Sequence, residues 1–241
     1  MVGLLAGCFN QASPSTPDAN QSTGAPQNAS VAKAPWIATK NTTRINSSDP
    51  FEAATLVAKT LWPATGDDNR PAGVVIVDPS NWQVATASAD LIHFPNNGPV
   101  LFAKKDQVPE VTINELKRLK PTGSKENQGV QAILVGDLDK KVEEQIQALG
   151  FKTDRIQASN PADYAQQIDA YYAKVAGGLP ESVVVGSMDS PEFTLPAVNW
   201  IAHSPEPLLY VKKDEVPAET IKALQNRNGK AKIYLLGLLS C

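Results

Sequence analysis

Val74-Val75-Ile76-Val77 and Val183-Val184-Val185-Gly186 decide how this chain is read, because the residues around each follow in the same order. Upstream of the first lies Arg44-Ile45-Asn46-Ser47-Ser48-Asp49-Pro50-Phe51-Glu52. Upstream of the second, at an offset of 111 positions, lies Arg155-Ile156-Gln157-Ala158-Ser159-Asn160-Pro161-Ala162-Asp163. Downstream, Pro99-Val100-Leu101-Phe102-Ala103-Lys104-Lys105-Asp106-Gln107-Val108-Pro109 matches Pro207-Leu208-Leu209-Tyr210-Val211-Lys212-Lys213-Asp214-Glu215-Val216-Pro217 at an offset of 108. Last, Ala132-Ile133-Leu134-Val135-Gly136 matches Ile233-Tyr234-Leu235-Leu236-Gly237 at an offset of 101. The order is kept and the offset only shrinks, which is what loop shortening leaves in the second copy of a duplicated unit.

Each copy alternates helix and strand. Asp49 and Asn160 suit an N-cap, and each is followed by Pro at the first helical position and an acid at the third. After Asn160, the residues Tyr164, Ile168, Tyr171 and Val175 recur at the spacing of one helix face. Val74–Val77, Val100–Ala103 and Ile133–Val135 are short, apolar and largely β-branched, which predicts buried parallel strands; their partners read the same way. The Val-Pro of each copy opens another helix, with Ile113, Leu116 and Leu119 facing inward in the first and Ile221 and Leu224 in the second. Asp137 is placed to cap a helix carrying Leu138, Val142, Ile146 and Leu149, stopped by Gly150.

This alternation predicts an α/β fold: two tandem Rossmann-like (flavodoxin-like) repeats, 37–150 and 151–241, each on a parallel sheet with right-handed crossovers. The second copy lacks the counterpart of the helix at 138–149. Leu235, Leu236, Leu238 and Leu239 are thereby left without their expected cover, which predicts that the sequence is incomplete at this end or that something else covers the edge; the alternative is a naturally short copy with a frayed end.

Composition excludes several classes. The chain has 241 residues, 42% of them apolar, enough for a real core. With 22 Lys and Arg against 25 Asp and Glu, and no basic run, it lacks the clustered charge that nucleic-acid backbones require. No run of about 18 apolar residues predicts a membrane-spanning helix. The cysteines, Cys8 and Cys241, lie near opposite ends, which excludes a disulfide framework and a cysteine zinc site.

Leu5-Ala6-Gly7-Cys8 resembles a bacterial lipobox, in which small residues precede a Cys that takes the lipid. Residues 1–8 then read as the remnant of a lipoprotein signal, shorter than a full signal peptide. Residues 9–36 are mostly Asn, Gln, Ser, Thr, Pro and Ala, too polar to offset chain entropy, and predict a disordered linker. A lipid-bearing Cys8, a polar tether and a folded module form the layout of an exported protein anchored to the membrane through its lipid.

The order of motifs resembles the type 2 cell-wall-binding repeat family of Gram-positive surface proteins, over about residues 40–237. Arg44-Ile45 and Arg155-Ile156 match that family's opening. Pro99-Val100-Leu101 and Pro207-Leu208-Leu209 match its middle strand. Val108-Pro109 with Leu116-Lys117-Arg118-Leu119, and Val216-Pro217-Ala218-Glu219-Thr220, match its helix start, and Ile133-Leu134-Val135-Gly136 matches its last strand. The chain departs from the family where Ser47 and Ala158 replace a Gly, where Pro50 and Pro161 replace an Arg, and in having fewer than three copies. The resemblance implies noncatalytic attachment to anionic cell-wall polysaccharide by modules that pack together. It also implies self-association or packing with surface proteins, which a monomeric mass by light scattering would overturn.

No phosphate loop, no Gly-x-Gly-x-x-Gly after a strand, no His-Glu-x-x-His and no Gly-x-Ser-x-Gly is present, so no cofactor and no nucleophile can be named. His93 and His203 sit at related places near helix ends, where a cation is favoured for structural reasons. In open parallel sheets ligands bind beyond the carboxyl ends of the strands. Those ends carry Asp78, Ser80 and Asn81 in the first copy and Ser187, Asp189 and Ser190 in the second, short polar residues that suit turns and caps first and sugar hydroxyls second. Arg44 and Arg155 suit an anionic polymer or a structural ion pair; Trp82 and Trp200 suit sugar rings or a core. The competing function is a solute-binding lipoprotein of a transport or sensing system, whose lobes close on a small molecule. An envelope enzyme is a weaker third, for want of a nucleophile–base pair.

Overall fold

The computed structural model describes residues 36–38 and 42–237. Cys8, the predicted linker and Leu238 to Cys241 lie outside the described residues. Along the chain run β1 (Trp36–Ala38), β2 (Thr43–Ile45), α1 (Pro50–Leu61), β3 (Val74–Val77), α2 (Trp82–Ala87), β4 (Val100–Phe102), α3 (Glu110–Leu119), β5 (Ala132–Val135), α4 (Lys140–Gln147) and β6 (Thr153–Ile156). There follow α5 (Pro161–Ala176), β7 (Ser182–Ser187), α6 (Pro191–Thr194), α7 (Ala197–Ile201), β8 (Leu208–Val211), α8 (Ala218–Gln225) and β9 (Lys232–Leu235).

The fold is α/β with two parallel sheets, one of four strands in the order β4-β3-β5-β6 and one of three in the order β8-β7-β9. The two central strands are equivalent in position and register. Val75 pairs with Val100 on one side and Ile133 on the other; Val184 pairs with Leu208 and Tyr234. These are the partners that the sequence offsets require, so both copies share one backbone path. β1 and β2 form a separate antiparallel pair that the sequence reading did not foresee.

Helix starts follow the predicted caps. The Asp49 side chain accepts a hydrogen bond from the Phe51 amide at 2.8 Å, and Asn160 accepts one from the Asp163 amide at 3.0 Å. Helix α4 is a correction to the expected start: its N-cap is Asp139, not Asp137, whose carboxylate instead pairs with Lys105. A second correction concerns Ile221, which is exposed, while Thr220 and Ala223 carry the buried face of α8. Thr220 turns inward because its hydroxyl donates to the Tyr210 carbonyl at 2.6 Å, as Thr112 does to Phe102 at 2.7 Å in the first copy.

The first sheet splits its strand side chains by the period of two. Val74, Ile76, Ala132 and Leu134 enter a core with Leu116, Leu119, Val142 and Ile146. Val75, Val77, Ile133 and Val135 enter a second core that continues through α2 and α5 into the Val183–Val185 strand. That continuous core joins the two copies. Inside it, Arg227 forms a two-pronged ion pair with Asp169 at 2.7 and 2.8 Å, both side chains almost wholly buried. Asp90 lies buried nearby with neither carboxyl oxygen hydrogen-bonded.

The strand that opens the second copy in sequence closes the first sheet in space. Thr153–Ile156 pairs in parallel with Ala132–Val135, while its counterpart Thr43–Ile45 joins neither parallel sheet.

Candidate functional site

The carboxyl ends of the strands form two clefts that share equivalent turns, after β3 and β4 in the first and after β7 and β8 in the second, and are completed by different elements. The first, of about 530 Å³, is lined by Pro50, Phe51, Asp78, Pro79, Ser80 and Lys104. The second, of about 490 Å³, has Ser187, Asp189, Ser190, Phe193, Lys212 and Lys213 in its wall, together with the end of β9. Both volumes fall in the range of small-ligand sites, here on open surfaces.

Local sequence builds each rim. The β3 strand ends in a tight turn in which the Asp78 carboxylate accepts from the Ser80 amide at 2.8 Å. The β7 strand ends in the corresponding turn, where the Ser187 hydroxyl accepts from the Asp189 and Ser190 amides at 3.2 and 3.1 Å. The acid has moved two places between copies, so each cleft keeps one carboxylate and one or two hydroxyls. The opposite rim is the turn after β4 or β8, closed by Lys104 N–H to Gln107 at 3.0 Å and by Lys212 N–H to Glu215 at 2.9 Å. It delivers lysines to both clefts. The Lys212 ammonium also donates to the Glu215 carboxylate at 2.9 Å, and this partner raises its pKa above the usual lysine range.

Of the sequence-predicted residues, Asp78, Ser80, Ser187, Asp189 and Ser190 meet at these clefts as two sets. Asn81 caps α2, its side-chain oxygen accepting from the Val84 amide at 3.2 Å. Arg155 is half-buried on the α4 side of β6, where it engages Glu143 at 3.2 Å and the Leu138 carbonyl. Arg44 stands exposed on β2. Trp82 packs edge-on against Tyr210, and Trp200 lies 4.6 Å from the Tyr234 ring. His93 Nε2 lies 2.5 Å from the Ile201 carbonyl and ties the two copies together. Sequence reasoning passed over Lys104, Lys212 and Lys213. Their signal was present in the duplicated Lys-Lys-Asp turn, where it counted as proof of repetition rather than as charge.

Among the described residues, no group of three or more His, Cys, Asp or Glu side chains could hold a metal ion. No described helix is long and apolar enough to cross a membrane.

The fold is similar to that of two solved clostridial chains. Cwp6 from Clostridium difficile superposes with a TM-score of 0.63 at 22% identity, over 78% of this chain and 28% of that one. Cwp8 from Clostridium difficile gives 0.60 at 20% identity, over 80% of this chain and 30% of that one. The protein thus spans less than a third of the length of either. No family model matches the chain, and no curated protein does.

Proposed function

We propose that this protein is a noncatalytic module of the bacterial cell envelope whose two clefts attach it to anionic wall polysaccharide. The observation that supports this most directly is the repetition itself. The same rim of hydroxyl, carboxylate and lysine recurs at the carboxyl end of both sheets, and an aromatic ring stands beside each, Phe51 of α1 in the first and Phe193 of α6, a non-equivalent helix, in the second. A polymer with repeating charge and hydroxyl groups can engage both clefts at once, and paired weak sites bind far more tightly than either alone. Lysine ammonium groups serve the charge, serine hydroxyls the sugar oxygens, and the aromatic faces the apolar side of the ring. The motif resemblance to wall-binding repeats and the fold shared with Cwp6 and Cwp8 point the same way. The extracytoplasmic location and a lipid anchor on Cys8 belong to the same proposal.

The test is co-sedimentation with purified wall sacculi, before and after the anionic polymer is stripped. The protein pellets with intact walls and stays in the supernatant with stripped ones. Lys104→Glu, Lys212→Glu and Lys213→Glu combined lower retention about tenfold or more at low salt, because exposed charge pairs are strongly screened as salt rises. Equal pelleting with stripped walls refutes the reading. A Tm raised by a small solute, with no wall binding, would favour the solute-binding alternative through linkage.

A further inference from the structure

A third cleft, of about 490 Å³, opens at the amino ends of the first sheet's strands, the end opposite the Asp78 and Lys104 rim. Arg70 enters it ahead of β3, Lys117 and Lys120 from the carboxyl end of α3, and Thr122 from the loop beyond. Leu149 and Phe151, both half-buried, supply an apolar wall ahead of β6. Hydrogen bonds tie these segments together. The Thr122 amide donates to the Pro71 carbonyl at 3.0 Å and the Gly123 amide to the Ala72 carbonyl at 2.7 Å. The Gln131 side chain donates to the Pro121 carbonyl at 2.6 Å and accepts from the Lys152 amide at 3.0 Å.

The cations of this cleft are under-used. Arg70 Nη1 meets the Asp67 carboxylate at 2.5 Å, but that acid is 86% exposed, and so exposed a pair is weak and readily exchanged. Arg70 Nε is buried with no hydrogen-bond partner, so the guanidinium keeps a donor for a further acceptor oxygen. Among the described residues neither Lys117 nor Lys120 forms an ion pair. A helix carboxyl end favours cations through its dipole, but the second copy shows that the scaffold does not need them. There, at an offset of 109, Pro180 stands for Pro71 and Leu179 for Arg70; at 108, Gln225 stands for Lys117 and Asn228 for Lys120. Lys120 and Asn228 share a left-handed backbone, with φ of 42° and 55°, which asparagine tolerates better than lysine. The first copy thus gathers three cations where the second has none, one of them at a backbone position that disfavours it.

We propose that this cleft binds a small phosphate monoester. The phosphate takes the place of Asp67 on the Arg70 guanidinium, whose planar fork matches two of its oxygens. Lys117, Lys120 and the Thr122 hydroxyl serve the rest, and the organic group lies against Leu149 and Phe151. Charge selects the monoester. Three cations less Asp67 leave two positive charges in the lining. A monoester carries about −1.5 to −2 at neutral pH, whereas a diester or a carboxylate carries a single charge. The volume suits a molecule of hexose phosphate size. This site is separate from the clefts assigned to wall polymer and does not depend on that assignment.

The test is isothermal titration of the full chain with phenyl phosphate, compared with methyl phenyl phosphate, benzoate and inorganic phosphate. Phenyl phosphate binds one to one with a Kd below about 1 mM. The two singly charged probes, and inorganic phosphate for want of the apolar contact, each bind about tenfold more weakly or worse. Arg70→Gln weakens phenyl phosphate about tenfold or more, the loss of a charge-assisted hydrogen bond. Lys117→Gln with Lys120→Asn does the same while installing the residues that the second copy already carries at these places. Asp67→Asn tightens binding up to about fivefold by removing the competing carboxylate, an effect that a purely structural Arg70 would not give. No saturable binding up to about 20 mM, equal affinity for all four probes, or an affinity that none of these substitutions moves each overturns the proposal.

Discussion

Leu134 and Leu235 occupy the same position in the two copies, paired with Ile76 and Val185, equivalent residues of the two central strands. Their surroundings differ. Leu134 is 1% exposed and shares its core with Leu116, Val142 and Ile146; Leu235 is 58% exposed. The difference comes from α4, which follows β5 and covers that face, whereas no described helix covers the corresponding face of β9, where Ile233 and Leu235 are exposed. Truncation to alanine therefore separates the two sites. At Leu134 it removes a packed side chain and leaves a cavity, a loss of about 2–5 kcal/mol. At Leu235 most of the side chain already meets water, and surface changes stay within about 0.5 kcal/mol. For a folded region of this size each kcal/mol shifts Tm by about 2–4 °C, so Leu134→Ala melts roughly 5–15 °C below the parent. Leu235→Ala melts within about 2 °C of the parent. Urea and thermal melts provide the measurement. Equal losses at the two positions would refute the claim that helix cover, rather than strand register, stabilises these sheets.

Two further predictions concern the shared core and the second sheet. Burial, reinforced by the charge of Asp169 and by Glu206 and opposed by Arg227, holds the Asp90 carboxyl well above the usual carboxylate range, with Tyr172 also close by. The folded state thus binds that proton more tightly than the unfolded chain. The stability it confers is fully present below the unfolded pKa of about 4 and is lost as pH rises toward the folded value. Asp90→Asn abolishes this decline, so its stability relative to the parent grows between pH 4 and pH 7; parallel urea-midpoint profiles would contradict the assignment. At Gly186 a Cβ would stand 2.7 Å from Thr194 Cγ2, so Gly186→Val forces the α6 helix away from the sheet and costs about 1–3 kcal/mol by overpacking. Val77→Gly, the reverse exchange in the first copy, leaves a void and lowers Tm, and a stabilised melt for Gly186→Val would show that the close approach of Thr194 is not what selects glycine.

Much of the fold was legible because its signals are local. β-branched runs such as Val74–Val77 and Val183–Val185 mark buried strands wherever they stand, and Asp49-Pro50 and Asn160-Pro161 announce helix starts through their own hydrogen bonds. The clefts were half legible. Asp78, Ser80, Ser187, Asp189 and Ser190 follow from the rule that strand ends carry ligands, whereas the lysines come from a neighbouring strand and converge only when β4 and β8 pair beside the central strands. Ile221 was misplaced because periodicity gives a helix a face but not a direction, and the Thr220 hydrogen bond to Tyr210 turned α8 by one residue.

The amino-acid order alone therefore determined the duplication, the α/β class and most element starts, since each depends on contacts between residues close along the chain. Only the tertiary structure decided that Thr153–Ile156 belongs to the sheet of the first copy, and that Asp90 gathers with Asp169 and Arg227 in the core. Those outcomes depend on which distant segments lose water together, and no run of neighbouring residues encodes that.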